Sequence, residues 1–166
     1  MNRIVKYVQK QKQPVERRVK MSKQQVFKPD YKFLERLYWV RNRSHREFNI
    51  LKDIRAYLDK LEVKYESDEY GQLYSIIPNT PLLSCHTDSV GTTQLEELFY
   101  DKNKRIYWGE ENLGCDDKNG IFLVTQLLRL YKGKVSFIFS TAEEVGGNVH
   151  ALLDDIGEDV EKCLYG

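Results

Sequence analysis

Cysteine is scarce in this chain. There are three, Cys85, Cys115 and Cys163, among 166 residues. The number is odd and no two stand in a C-x-x-C spacing, which argues against a disulfide framework and against a structural zinc knuckle. Cys85 and Cys115 each directly precede a polar cluster, and they read as small buried thiols packed beneath it. Histidine is as rare, with His45, His86 and His150. A cysteine hydrolase needs a partner imidazole, and His86 is badly placed to serve its own neighbour. Long apolar runs are missing too, since none approaches the ~20 residues of a membrane span. The opening "MNRIVKYVQKQKQ" is basic and lacks the apolar core of a secretory leader. These absences point to a cytoplasmic protein with no membrane association.

Net charge is also nearly absent, at +1, but it is unevenly spread. Residues 1–30 hold nine Lys and Arg against Glu16 and Asp30, a net of +7. They read as a basic, solvated N-terminal extension. Pro14 interrupts any long helix there and aromatic interleaving is thin, so nucleic-acid binding is not expected. Residues 31–166 are long enough for one domain with its own core.

From residue 31 the pattern turns regular. "YKFLERLYWVR" (31–41) spaces Phe33, Leu34, Leu37, Tyr38 and Val40 at helical intervals. Ser44 and Glu47 have the S-x-x-E spacing of a capping box, and a second helix is expected over about 45–61. "VKYESDEYGQLYSIIP" reads as strand, turn and strand around Gly71. "PLLSCH" (81–86) reads as a short buried strand, and 95–109 as a hairpin around Asp101–Lys104. "KNGIFLVTQLLRLY" (118–131) is an apolar helix and "KVSFIFST" (134–141) a β-branched and aromatic strand. A short helix is expected over 149–156, and a further strand from Lys162. Helices alternating with buried strands predict a three-layer α/β/α sandwich with a mixed, largely parallel central sheet.

In such sheets ligands bind beyond the carboxyl ends of the strands. Three polar clusters fall there: His86-Thr87-Asp88, the Asp116-Asp117 pair at a helix entry, and Glu143-Glu144. Each also has a plain reading. His86 can be a satisfied core histidine, Asp116 and Asp117 can cap the helix, and Glu143 and Glu144 can form a solvated turn. Together they look like a divalent-metal site. Imidazole and carboxylates suit zinc or a similar ion. A carboxylate two residues from the histidine can fix its tautomer. Of two adjacent glutamates, one can ligate while the other takes a proton from water.

"SCHTDSVG", "GCDDKNGI" and "STAEEVGG", in this order, resemble the co-catalytic zinc exopeptidases, and most of all peptidase T, di- and tripeptidases and related aminopeptidases. The resemblance covers about residues 31–166. It implies two divalent ions, zinc foremost with cobalt or manganese as alternatives. It implies that His86 binds one, Asp116 bridges both and Glu144 binds the other. It makes Glu143 the general base, has Asp88 orient His86, and implies a cis peptide bond after Asp116. Substrates would be short peptides or N-acyl amino acids.

The family also uses a carboxylate on the strand after the Glu-Glu motif and a histidine far downstream. Neither has a counterpart here, and His45 and His150 read as surface residues. The expectation is therefore a truncated metallopeptidase domain, or half of a split enzyme completed by a second chain or a homo-oligomer. A catalytically dead module that binds peptides or a partner remains the alternative. A third reading gives the function to the basic arm.

Overall fold

The computed structural model describes residues 27–91 and 95–163. Most of the basic extension expected over 1–30 therefore lies outside the described residues. Residues 27–30 rest on a later helix. The Phe27 ring lies 5.1 Å from the Arg129 guanidinium, and the Asp30 N–H donates to Gln126 Oε1 at 2.9 Å.

Two helices come first, α1 (Tyr31–Trp39) and α2 (Phe48–Lys60). Phe33, Leu34, Leu37 and Tyr38 fall on one face of α1, and Ile50, Leu51, Ile54, Tyr57 and Leu58 on one face of α2. The faces meet with the Phe33 and Tyr57 rings stacked at 3.8 Å between centroids. The expected capping box does not form. The residue before α2 is Glu47, which makes no capping hydrogen bond. His45 takes a positive φ of 60°, so the chain turns there and the helix starts later than the S-x-x-E spacing implies. The Ser44 and Glu47 side chains instead reach partners far away in the sequence.

The strands are β1 (Glu66–Ser67), β2 (Leu73–Ser75), β3 (Leu82–His86), β4 (Phe99–Asp101), β5 (Ile106–Trp108) and β6 (Ser136–Ser140). β4 and β5 form the expected separate hairpin, with Asp101 Oδ1 accepting the N–H groups of Asn103 and Lys104 across its turn. The others make one mixed sheet in the order β1-β2-β6-β3. β6 runs parallel to β3 and antiparallel to β2. Between β3 and β6 the chain passes through the hairpin and α3 (Cys115–Leu130).

β6 is buried along its whole length. Because side chains alternate along a strand, Phe137 and Phe139 join the core cluster with α1, α2 and α3 on one face. Ser136 and Ile138 point to the other face. There the Cys163 Sγ, just after α4 (Val149–Val160), lies 3.6 Å from Ser136 Oγ. Helices thus cover both faces, and the sandwich is the three-layer arrangement that the alternation of elements predicts. The sheet is mixed as expected, but among the described residues β3–β6 is the one parallel pairing, and β1–β2 and β2–β6 are antiparallel. The strand expected from Lys162 is not formed at 162–163. α4 continues to Val160, and the Cys163 N–H closes a turn onto the Val160 carbonyl. Residues 164–166 lie outside the described residues. No helix among the described residues is long and apolar enough to cross a membrane.

The parallel pairing positions the loops that matter. His86 at the end of β3 stands opposite Ser140 at the end of β6, so residues 87–89 and 141–144 leave the sheet side by side. α3 presses its first turns against β3 at Gly120. A Cβ there would land inside Asp117 Oδ1 and only 2.9 Å from Cys85 Sγ. Glycine is about 1 kcal/mol worse than alanine in a helix interior, yet here the close approach outweighs that preference. Gly120→Ala should lower stability in urea unfolding by about 1–3 kcal/mol, the usual cost of overpacking. A stabilised variant would show that α3 does not press on β3 as described.

Candidate metal centre

His86 is held by its own loop. Its Nδ1 lies 3.0 Å from the Asp88 carbonyl oxygen and 3.4 Å from Asp88 Oδ1. A carbonyl can only accept, so Nδ1 carries the proton and the Nε2 lone pair faces outward. Nε2 meets Asp116 Oδ1 at 3.0 Å. A lone pair facing a carboxylate at that distance is repulsive unless a proton or a cation lies between them. Burial pulls the His86 pKa down, but Asp116, Asp117, Asp88 and Glu143 together outweigh it and hold the pKa above the ordinary imidazole value. A proton and a cation would compete for the same nitrogen, so a cation would be held more strongly here as pH rises.

Asp88 is fully buried. Its Oδ1 accepts the Glu143 N–H at 3.0 Å. Its Oδ2 accepts the Glu144 N–H at 3.1 Å and the Ser44 hydroxyl at 2.6 Å. Three donors and the neighbouring imidazole offset the cost of burying the charge. The same carboxylate thereby joins the loop after β3 to the turn after β6. That turn is a short 3-10 segment, Glu143–Val145, entered through Ala142 at φ 57°. The Ala142 N–H donates to Glu47 Oε1 at 2.9 Å.

Asp116 and Asp117 do not cap α3. The residue before the helix is Gly114, in the left-handed region at φ 63°, and no side chain caps the helix. Both aspartates have non-helical backbone angles, and the peptide bond between them is cis. Asp117 Oδ2 accepts the His86 N–H at 3.3 Å. The Asp116 carboxylate is 88% exposed apart from its contact with His86. Next to them Lys118 is buried, donating from Nζ to the Val40 carbonyl at 2.9 Å. Burial lowers its pKa to about 8.

The cysteines divide. Cys85 is buried, and burial with the nearby Asp117 pushes its thiol pKa up, so it stays an inert thiol. Cys115 is exposed, contrary to expectation, because it heads α3 beyond the edge of the packed core. His45 and His150 are both exposed.

Three of the residues singled out in the sequence converge. His86, Asp116 and Glu144 each offer one donor atom, and these atoms lie within 4.8 Å of one another. They come from three separate loops, at β3, at α3 and after β6. One imidazole and two carboxylates, with one carboxylate largely open to solvent, are a donor set that fits zinc, cobalt or manganese. Glu143 stands beside them, near enough to His86 to raise its pKa. Ser44, Glu47 and Asn42, which also touch these loops, are harder to find from sequence. Ser44 and Glu47 stood out only as a capping pattern, and Asn42 carried no signal at all.

No family model matches the sequence, and no curated protein does. Solved structures do. The aminopeptidase PepT of Bacillus cereus superposes with a TM-score of 0.60 at 22% identity, over 70% of this chain and 36% of that protein. A tripeptidase of Staphylococcus aureus gives 0.59 at 20% identity, over 70% and 36%. A dinuclear metal-binding peptidase of Bacillus subtilis gives 0.50 at 19%, over 79% and 40%. The chain spans little more than a third of the length of the first two. At these identities the likeness is one of fold, and it bears out the expected fold: this chain has the fold shared by these peptidases.

Proposed function

We propose that this chain supplies the water-activating part of a two-metal peptide hydrolase, acting as an aminopeptidase or a di- or tripeptidase on short peptides or N-acyl amino acids. The observation that carries the reading is the convergence of His86, Asp116 and Glu144 within 4.8 Å at the carboxyl end of a parallel strand pair. Divalent ions held there, zinc first and cobalt or manganese in its place, would polarise a peptide carbonyl and make water acidic enough to attack it.

The residues have separate tasks. His86 would present Nε2 to one ion, with Nδ1–H fixed on the Asp88 carbonyl. Asp116, the exposed carboxylate, would bridge two ions. Glu144 would bind the second. Glu143 would take the proton of the attacking water and pass it to the leaving amine, which needs a carboxylate within one hydrogen bond of the water. Asp88 would keep His86 and the two glutamates in register. Three donor groups are fewer than two catalytic metal positions use. Further ligands would come from residues beyond these three, in a longer chain or a second one, and a homo-oligomer is one way to bring them. The same shortfall supports a second reading, a peptide- or partner-binding module without turnover.

Metal uptake tests the site directly. The chain should bind zinc or cobalt in calorimetric titration, and His86→Ala or Asp116→Ala should abolish that binding. Equal uptake by the wild type and by the double variant would end the reading.

Turnover separates the two readings. With tripeptide substrates in the presence of zinc, Glu143→Gln should keep metal binding and lose about 10²–10⁴-fold in rate, the usual worth of a general base. Metal uptake by the wild type with no hydrolysis, with or without Glu143, would mean that this chain alone is not the enzyme, being either the incomplete half that the missing ligands imply or the binding module.

A further inference from the structure

One stretch of ten residues, 38–47, touches all three of the loops that meet at His86. It consists of the end of α1 and the turn into α2. The Tyr38 hydroxyl donates to Asn119 Oδ1 at 2.6 Å, and the Val40 carbonyl accepts Lys118 Nζ at 2.9 Å, so its first part holds the start of α3. Asn42 comes next. Its Nδ2 donates to the Thr87 carbonyl at 2.7 Å and to Ser89 Oγ at 3.0 Å, while its own carbonyl accepts the Ser89 N–H. Ser44 donates to the buried Asp88 carboxylate. Glu47, itself buried, accepts the Ala142 N–H at the entry to the Glu143–Glu144 turn.

None of these contacts is needed to start α2. Glu47 makes no cap, and Ser44 points away from the helix. Asn42 and Glu47 are polar side chains about 4–5% exposed, and burying such groups is costly unless each finds a partner. Their partners all lie on the metal-bearing loops.

We propose that residues 38–47 form a strap that sets the spacing of the three metal-bearing loops, with Ser44 the positioning residue for Asp88 and Glu47 the positioning residue for the Glu143–Glu144 turn. The inference rests on the reading of His86, Asp116 and Glu144 as a metal group. Ser44 acts through Asp88, which supports both His86 and the N–H groups of the two glutamates. Glu47 acts through Ala142, whose left-handed backbone aims the glutamates. Neither side chain touches the donor group itself. Losing either should leave the ligands present but less well placed, and outer partners of this kind change metal affinity rather than abolish it.

The test measures zinc and cobalt affinity by calorimetry, the cobalt absorption spectrum, and the melting temperature of the metal-free chain. Ser44→Ala and Glu47→Ala remove the contacts. Ser44→Thr and Glu47→Gln keep an oxygen in place. Thr80→Val serves as control. It deletes a buried hydroxyl bonded to Ser136 and to the Ile77 carbonyl, at the opposite end of β6 from the site. The expected result is that Ser44→Ala and Glu47→Ala each weaken the zinc Kd by about tenfold, the lower end of the range for outer partners, and alter the cobalt spectrum. The conservative variants should restore most of the affinity, and Thr80→Val should lower the melting temperature with Kd unchanged. Should Glu47→Ala fail to fold, the contrast of Ser44→Ala with Ser44→Thr decides. Unchanged affinity and spectrum in Ser44→Ala would overturn the strap, as would losses that simply follow melting temperature in every variant, Thr80→Val included. A wild type that takes up no zinc or cobalt would overturn the metal reading itself, and the strap with it.

Discussion

The Asp88 carboxylate is the interaction on which the rest of this site depends. It is fully buried, and its hydrogen bonds come from Ser44 and from the backbone of Glu143 and Glu144, with His86 Nδ1 close by. These partners belong to three different segments: the α1–α2 turn, the turn after β6, and the end of β3. A charge taken out of water must be matched by donors in good geometry. That requirement draws the three segments to one point. The donor group at His86, Asp116 and Glu144 sits on the solvent side of the same junction. Its order is therefore inherited from a buried polar cluster rather than from apolar packing.

The sheet brings these segments near each other before Asp88 engages. β3 and β6 are parallel, so their carboxyl ends lie side by side with His86 opposite Ser140. The Thr87 N–H and hydroxyl both bond the Ser140 carbonyl, at 2.9 and 2.8 Å, and continue the ladder one residue past the strands. Phe137 and Phe139 bury the inner face of β6 at 0% exposure. A frame of this kind moves little, and a site built on strand ends is placed more reproducibly than one carried on long loops.

Much of this was legible in the sequence, for physical reasons that also mark where reading stops. Periodicity revealed α1, α2 and α3 because their buried faces repeat at helical spacing. β-branched and aromatic content revealed β6. The candidate site was legible because imidazole, carboxylates and glycines cluster at strand ends. What local pattern could not show is where a side chain goes when two partners compete. Ser44 and Glu47 have the spacing of a capping box, but each finds a buried partner more than 40 residues away. Asp116 and Asp117 have the look of helix caps and serve His86 instead. In each case a tertiary contact outweighed a local preference, and such contacts leave no periodic trace.

The charge balance around His86 gives a reason for cation binding independent of any family likeness. Asp88, Asp116, Asp117, Glu143 and Glu144 all act on one small volume. Among the described residues, the ion pairs that Asp88 and Asp116 make are with His86. Lys118, the nearest buried ammonium, is turned toward the Tyr38 and Val40 carbonyls. Of the five, Asp88 and Asp117 are satisfied by backbone N–H groups and Ser44. Asp116 is not, and it reaches into solvent with His86 its partner. The negative charge left over is concentrated on the open side, where a divalent ion would meet the least desolvation on entry and the strongest field on arrival. The buried Asp88 and the half-buried Asp117 hold the frame together, and the largely exposed Asp116 would be the first carboxylate to meet an incoming ion.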